Sequence, residues 1–232
     1  MGAISGRIAE IVRRDDAYRR AGRIFASPSP VLKQIRINAL VDGKELLVPS
    51  QGLYEGFLLL KPYQVEFKNL GYASTYKGLL QYGRKVSDED LRSFPVAVLF
   101  TEVLAVDSSG GFIGDGNGFF DLSVAILAEL HALQPDAVLY GLGDQGQVLG
   151  ESIRIDPWDI RLNAFVTENG IQACSAASPL GSVVRFADLP EKRIRRITPL
   201  WRLLQQQSID SPAHAEILAA MLRKRSLSQS PS

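Results

Sequence analysis

Residues 96–100 read VAVLF, and the run continues as TEVLAVD to residue 107 with few polar side chains. A strand apolar on both faces must be covered on both sides, as happens when helices pack above and below a mainly parallel sheet. The segment reads as one long strand or a strand pair, and residues 107–111, DSSGG, turn it. Beyond the turn, residues 110–127 read GGFIGDGNGFFDLSVAIL, which sets five glycines and two aspartates against an apolar helix. From Asp121, residues Leu122, Ala125, Ile126, Leu130 and Leu133 mark one face of that helix.

The rest of the chain alternates in the same way. Ile4, Ile8, Ile11 and Val12 recur at helical spacing, which predicts a helix over residues 4 to about 24 with RRDDAYRR as its solvated face. SPSP at 27–30 breaks it, and Val31, Leu32, Ile35 and Ala39 predict a second helix ending near Asp42 and Gly43. KELLVP predicts a buried strand stopped at Pro49, and a looser region follows. Ser87 caps a short helix in SDEDLRSF. AVLYGLGD and LNAFVTENGI read as further strands, and PEKRIRRITPLWRLLQQQ and SPAHAEILAAMLRKR as C-terminal helices. The expectation is an α/β fold: a single domain over 1–225 with N- and C-terminal helices, and a disordered tail over 226–232.

Composition narrows the partners. A net charge of +1 gives no global attraction for nucleic acid or an anionic membrane. The longest apolar runs, VAVLF and FLLL, are strand-sized and far short of the roughly 20 residues of a membrane helix. MGAISGRIAEIVRRDD lacks the apolar core of a secretory signal. The lone Cys174 forms no intramolecular disulfide and, with only two histidines, seeds no structural zinc site. A soluble, cytoplasmic protein is expected, with Cys174 as a small buried thiol and His131 and His214 in structural roles. Its oligomeric state is left open.

The glycine stretch admits several chemistries. As an EF-hand starting at Asp115 it would need Gly at 120 and Glu at 126, but Phe120 and Ile126 stand there. It lacks the Lys of a Walker loop, and Gly114, Gly116 and Gly118 are spaced G-x-G-x-G, unlike the dinucleotide fingerprint. A glycine turn entering a helix still presents unpaired backbone N–H groups at a positive dipole end, which suits an anion. Asp115 and Asp121 oppose phosphate unless Mg²⁺ lies between them. A phosphate or metal–phosphate site and a purely structural turn both remain open at this point.

In combination these residues resemble the signature region of the 5-formyltetrahydrofolate cyclo-ligase (methenyltetrahydrofolate synthetase) family. The order Asp107, a turn Gly, Gly114, Gly116, Gly118, Phe119, Phe120, Asp121 matches that signature. Trp158-Asp159 and Val166-Thr167 in DPWDIRLNAFVTENGI match a second block. IRINALVDGKELLVP resembles the family's helix, Gly-Lys turn and first strand, and LPEKRIRRITPLWRLL the tail of its divergent, cyclo-ligase-like branch, so the likeness spans roughly residues 28 to 205. It implies a three-layer α/β/α sandwich and a MgATP-dependent conversion of 5-formyltetrahydrofolate to 5,10-methenyltetrahydrofolate. It places Phe112 and Leu122 where the family usually carries arginines, Asp115 where Tyr or Lys is common, Trp158 at a His and Asn163 at an Asp.

The resemblance implies the following site. Asp121 and Asp159 are the candidate catalytic carboxylates, and Asp121 and Asp107 the candidate Mg²⁺ ligands. Gly114, Gly116, Asn117, Gly118, Phe119, Lys33 and Arg36 are the candidate ATP-binding residues, with Lys44 a further possible cation. Asp121 is equally suited to capping the helix, and Asp107 to forming the turn. Tyr72, Tyr76 and Tyr82 are able to stack on a pterin or to pack on one another. The expected partner is a folate-like small molecule. The alternative is a paralogue without ring-closing activity that binds a small molecule, or regulates, in folate metabolism or another cofactor pathway such as thiamine.

Overall fold

The strand that organises the molecule is one the sequence reading missed. The computed structural model describes residues 2–156, 159–175 and 183–228. In it, helix α1 (Gly2–Arg14) is followed by the short α2 (Asp16–Arg20) and then by β1 (Arg23–Ala26), in the middle of the main sheet. The helix expected to run to about residue 24 therefore stops earlier. Asp15 ends α1 and caps α2 by accepting from the N–H groups of Ala17 and Tyr18. Arg23 disguises β1, because it takes a charge into a buried strand. Its guanidinium donates to Glu45 and to the carbonyls of Asp90 and Phe94, so the charge and each of its three nitrogens find a partner.

The strands that follow are β2 (Glu45–Pro49), β3 (Phe57–Leu60), β4 (Arg84–Lys85), β5 (Val96–Glu102), β6 (Ala105–Val106), β7 (Phe112–Ile113), β8 (Leu133–Leu142), β9 (Ala164–Thr167) and β10 (Gly170–Ala173). Eight of them form one sheet in the order β10-β9-β8-β5-β1-β2-β3-β4. Pairing is parallel from β9 to β2 and antiparallel at both edges. β6 and β7 make a separate antiparallel ribbon, so the long apolar segment from residue 96 is a strand pair shared between two sheets. Leu133, expected on a helix face, opens β8 instead.

The helices are α3 (Lys33–Val41), α4 (Leu70–Ala73), α5 (Tyr76–Tyr82), α6 (Asp88–Ser93), α7 (Phe119–Glu129), α8 (Glu191–Arg196), α9 (Thr198–Asp210) and α10 (Pro212–Ser228). Alternate side chains of the central strands enter two different cores, as the period of two requires. Ile24, Leu46, Val98 and Phe100 pack with Ile8, Val12, Ile35 and Ala39 of α1 and α3. Phe25, Leu47 and Leu99 pack with Val124, Leu127, Leu200 and Leu204 of α7 and α9. This is the three-layer α/β/α sandwich with a mainly parallel sheet. Each fully buried Phe or Leu contributes about 1.5–3 kcal/mol. α10 continues past the boundary expected at 225, while residues 229–232 of the expected tail, like Trp158, lie outside the described residues. No described helix is long and apolar enough to cross a membrane.

Candidate functional site

β1 has β2 on one side and β5 on the other, both parallel to it. Strand order reverses at this pair, and in such sheets ligands enter the crevice outside the carboxyl ends of the strands. A cleft of about 850 Å³ opens there. Ser27 to Pro30 follow β1 into its wall, and Thr101 and Glu102 end β5 in its floor. Residues 49–52, Tyr76 and the glycine turn complete it.

Arg36 holds the first of these walls. Its guanidinium donates to the carbonyls of Ser27, Ser29 and Ser74, and burial lowers its pKa to about 10. Expected to bind nucleotide, Arg36 is a structural clamp 1% exposed that does not reach the cleft. Ser29, positioned by that clamp, donates through Oγ to the carboxylate of Glu102. Lys33 is exposed on α3 and does not line the cleft. Lys44 is buried over the Tyr18 ring and donates to the carbonyls of Arg19 and Ala21.

The glycine turn is shaped by its own side chains. Asp115 accepts from the backbone N–H and the side-chain amide of Asn117, closing a local turn. Gly116 and Gly118 take φ of +76° and +63°, where a side chain is strained. Gly118 is the N-cap of α7 and supplies no side chain to it, so the N–H groups of the first turn have no side-chain cap. The helix starts at Phe119, two residues before the expected start, and Asp121 is its third residue. Phe120 anchors the turn between Phe25 and Phe112, at 5.9 and 6.2 Å between ring centroids.

Asp121 faces both the cleft and a smaller cavity of about 220 Å³ that Asp159 and Arg193 also line. Burial pushes its carboxyl up from the ordinary Asp value. Its own backbone N–H opposes that shift, and the charges of Asp159 and Asp115 add to it. Asp159 accepts from the Asp156 N–H through one oxygen. Among the described residues no three His, Cys, Asp or Glu side chains converge as a metal cage. A pair of carboxylates nevertheless fits Mg²⁺ carried in by phosphates, the usual mode for that ion.

Asp107 does not join that pair. It is 4% exposed, and one oxygen accepts from the N–H and Oγ of Ser109 and the N–H of Gly111. The other accepts from the Ile153 N–H. Burial opposes its charge, but these bonds outweigh it and hold the carboxyl below its ordinary value. The expectation of a metal ligand gives way to that of a turn-former, since all four donors stabilise the carboxylate within the chain.

Other sequence candidates are structural. The Asn163 carboxamide accepts from the Leu139 N–H. Tyr72 and Tyr82 pack edge-to-face on each other at 6.4 Å, leaving Tyr76 in the cleft wall with its hydroxyl beside the Gln51 backbone. His214 packs on Phe186, and His131 sits at positive φ just after α7. Cys174 is half-buried, and burial beside the charge of Asp107 pushes its thiol up, away from reactivity.

Three participants escaped the sequence reading: Ser29, Glu102 and Arg193. A charge at the end of an otherwise apolar strand was the available signal for Glu102. For Arg193 there was none. It lies in α8, yet its Nη2 donates to the Asn117 carbonyl at 2.7 Å and its guanidinium covers the Phe119 ring at 5.0 Å.

Fold and site together define an α/β protein with a ligand cleft at a topological switch point, edged by a glycine turn and a helix N-terminus. The family model for the 5-formyltetrahydrofolate cyclo-ligase family matches residues 4–168, and the chain belongs to that family. No curated protein sequence matches it. Among solved structures it is similar to the 5,10-methenyltetrahydrofolate synthetase of Aquifex aeolicus, at 18% identity and a TM-score of 0.47 over 75% of this chain and 82% of that one. It is also similar to the 5,10-methenyltetrahydrofolate synthetase of Mycoplasma pneumoniae, at 11% identity and a TM-score of 0.45 over 72% of this chain and 86% of that one.

Proposed function

We propose that the protein closes the ring of 5-formyltetrahydrofolate at the expense of MgATP, giving 5,10-methenyltetrahydrofolate, ADP and phosphate, in the cytoplasm. The observation that carries this reading, within the family to which the chain belongs, is the glycine turn that sets Asp121 in the first turn of α7 at the mouth of the switch-point cleft. In this reaction the formyl oxygen attacks the γ-phosphorus and the bond to ADP breaks. N10 then bonds to the formyl carbon and gives up its proton, and the former formyl oxygen departs within the phosphate. Such chemistry needs positioning and charge neutralisation, with no covalent nucleophile. It therefore suits a site with no histidine or cysteine among the described residues of its lining.

The residues divide the work. The cleft is lined by Tyr76, Phe112, Phe119 and Phe120, against which a flat pterin packs. Glu102, oriented by Ser29, accepts from the N–H groups of such a ring. Asp121 and Asp159 would hold Mg²⁺, which supplies charge neutralisation at the transferred phosphoryl group. The N–H groups at the start of α7 face the same anion.

The test mixes the purified protein with 5-formyltetrahydrofolate and MgATP and follows methenyl product by absorbance. Turnover is expected. Its absence, together with no rise in melting temperature on adding MgATP, would sink the reading.

A further inference from the structure

The carboxylates and cations around the glycine turn are unevenly spread, mixing in the small cavity lined by Asp121, Asp159, Asp188, Arg185 and Arg193. Among the described residues the main cleft is lined by Glu102, Asp115 and Asp121 and by no Lys or Arg. On the other side of Phe119 and Gly52, which line both spaces, lies a second pocket of about 350 Å³. Lys192, Arg193 and Arg196 line it, with no acidic residue among the described residues of its wall. The three cations share one face of α8 because positions three and four apart in a helix are neighbours. Buried Ile194 and Ile197 pin the opposite side to the core. Arg196 stacks over the Tyr54 ring at 4.5 Å, and Arg193 over Phe119 at 5.0 Å, so both guanidinium groups are held at the pocket wall.

We propose that this pocket is the polyphosphate site of the protein, with Lys192, Arg193 and Arg196 supplying the positive charge that the lining of the main cleft lacks. The inference rests on the nucleotide-dependent reading above and assigns the phosphates to one side of the turn. Three negative side chains repel a triphosphate laid in the main cleft, whereas the α8 pocket attracts it. Arg193 links the two halves, because it also lines the small cavity that holds Asp121 and Asp159. A metal–polyphosphate therefore meets carboxylates on its metal side and guanidinium groups on its phosphate side. These cations come from α8, beyond residues 4–168 matched by the family model.

The experiment uses the full chain and inorganic tripolyphosphate with Mg²⁺ as probe, measured by calorimetry, alongside the ring-closing assay. The wild type binds the probe, and affinity falls as salt rises. The K192Q/R196Q double variant changes two exposed side chains, and it weakens binding about tenfold while leaving the unliganded melting temperature within about 1 °C. R193Q weakens binding at least as much, and R193K restores part of the loss. A wild type that binds no tripolyphosphate, or variants that bind it as the wild type does, overturns the inference even if ring closure is observed. Loss of probe binding in the variants of a protein without ring-closing turnover upholds the site and discards the reaction. An oligoglutamate peptide that binds here more tightly than tripolyphosphate assigns the cations to carboxylates and overturns the phosphate assignment.

Discussion

Two spaces meet at Phe119, and they differ in every property that selects a ligand. The cleft beyond β1 and β5 is large, aromatic and acidic, with Glu102 in its floor. The pocket beside α8 is smaller and basic, walled by Lys192, Arg193 and Arg196. A single site for a folate and a nucleotide would have to satisfy a flat ring and a polyanion with the same walls. Dividing the charges lets each half desolvate its own ligand without burying an unpaired charge. On the proposed reading the glycine turn is the partition between the two ligands.

The partition itself is the first point at which this comparison breaks. Asp107→Ala leaves the N–H groups of Ser109, Gly111 and Ile153 without their acceptor, and a loss of about 3 kcal/mol of stability is expected in chemical denaturation. Because the folded carboxyl sits below its ordinary value, its stabilisation is present above the unfolded pKa and disappears as pH falls through the folded one. The variant should therefore converge on the wild type in acid. A constant difference down to low pH would argue against the charged bonds.

Next comes the carboxylate at the border. Asp121→Asn should lower kcat about a hundredfold while the fold persists. Unchanged activity would remove Asp121 from the metal site. Stability moves the other way from Asp107, since the folded Asp121 carboxyl lies above its ordinary value. Its favourable contribution is complete below the unfolded pKa and is lost as pH rises through the folded value. The Asn variant should thus melt higher than the wild type at neutral pH, and the difference should vanish below the unfolded carboxyl's pKa of about 4.

Within the acidic half, Glu102→Gln is expected to raise KM for 5-formyltetrahydrofolate about tenfold and leave KM for ATP in place. Equal effects on both substrates would deny that the halves are separate. The smallest effect belongs to the turn's backbone. Gly118→Ala must hold a left-handed conformation and should cost about 1 kcal/mol in denaturant unfolding. No cost would mean that the turn relaxes freely, and that it does not hold the two spaces in register.

Much of the fold was legible where residues act on near neighbours. The two-faced β5, the glycine turn and the apolar face of α7 follow from period and from glycine's φ, and residue type alone carries those signals. β1 was not legible, because Arg23 depends on Glu45 of another strand, and a four-residue strand has no period of its own. Losing β1 hid the switch point, and with it Ser29 and the cleft. Asp107 failed as a ligand for the same reason: the Ile153 N–H that completes its shell arrives from 46 residues away. Arg193 reaches the Asn117 carbonyl across 76 residues.

By itself, then, the sequence determined an α/β sandwich of the cyclo-ligase kind, its glycine turn, and an aspartate in the first turn of the helix that follows. Those features are local, set by backbone sterics and by which side chains avoid water. Only the tertiary structure decided which charges face that turn. The order of strands in the sheet, and the docking of α8 through Ile194 and Ile197, bring Lys192 and Arg196 to one side of Phe119, Glu102 and Asp115 to the other, and Arg193 to the cavity it shares with Asp121 and Asp159.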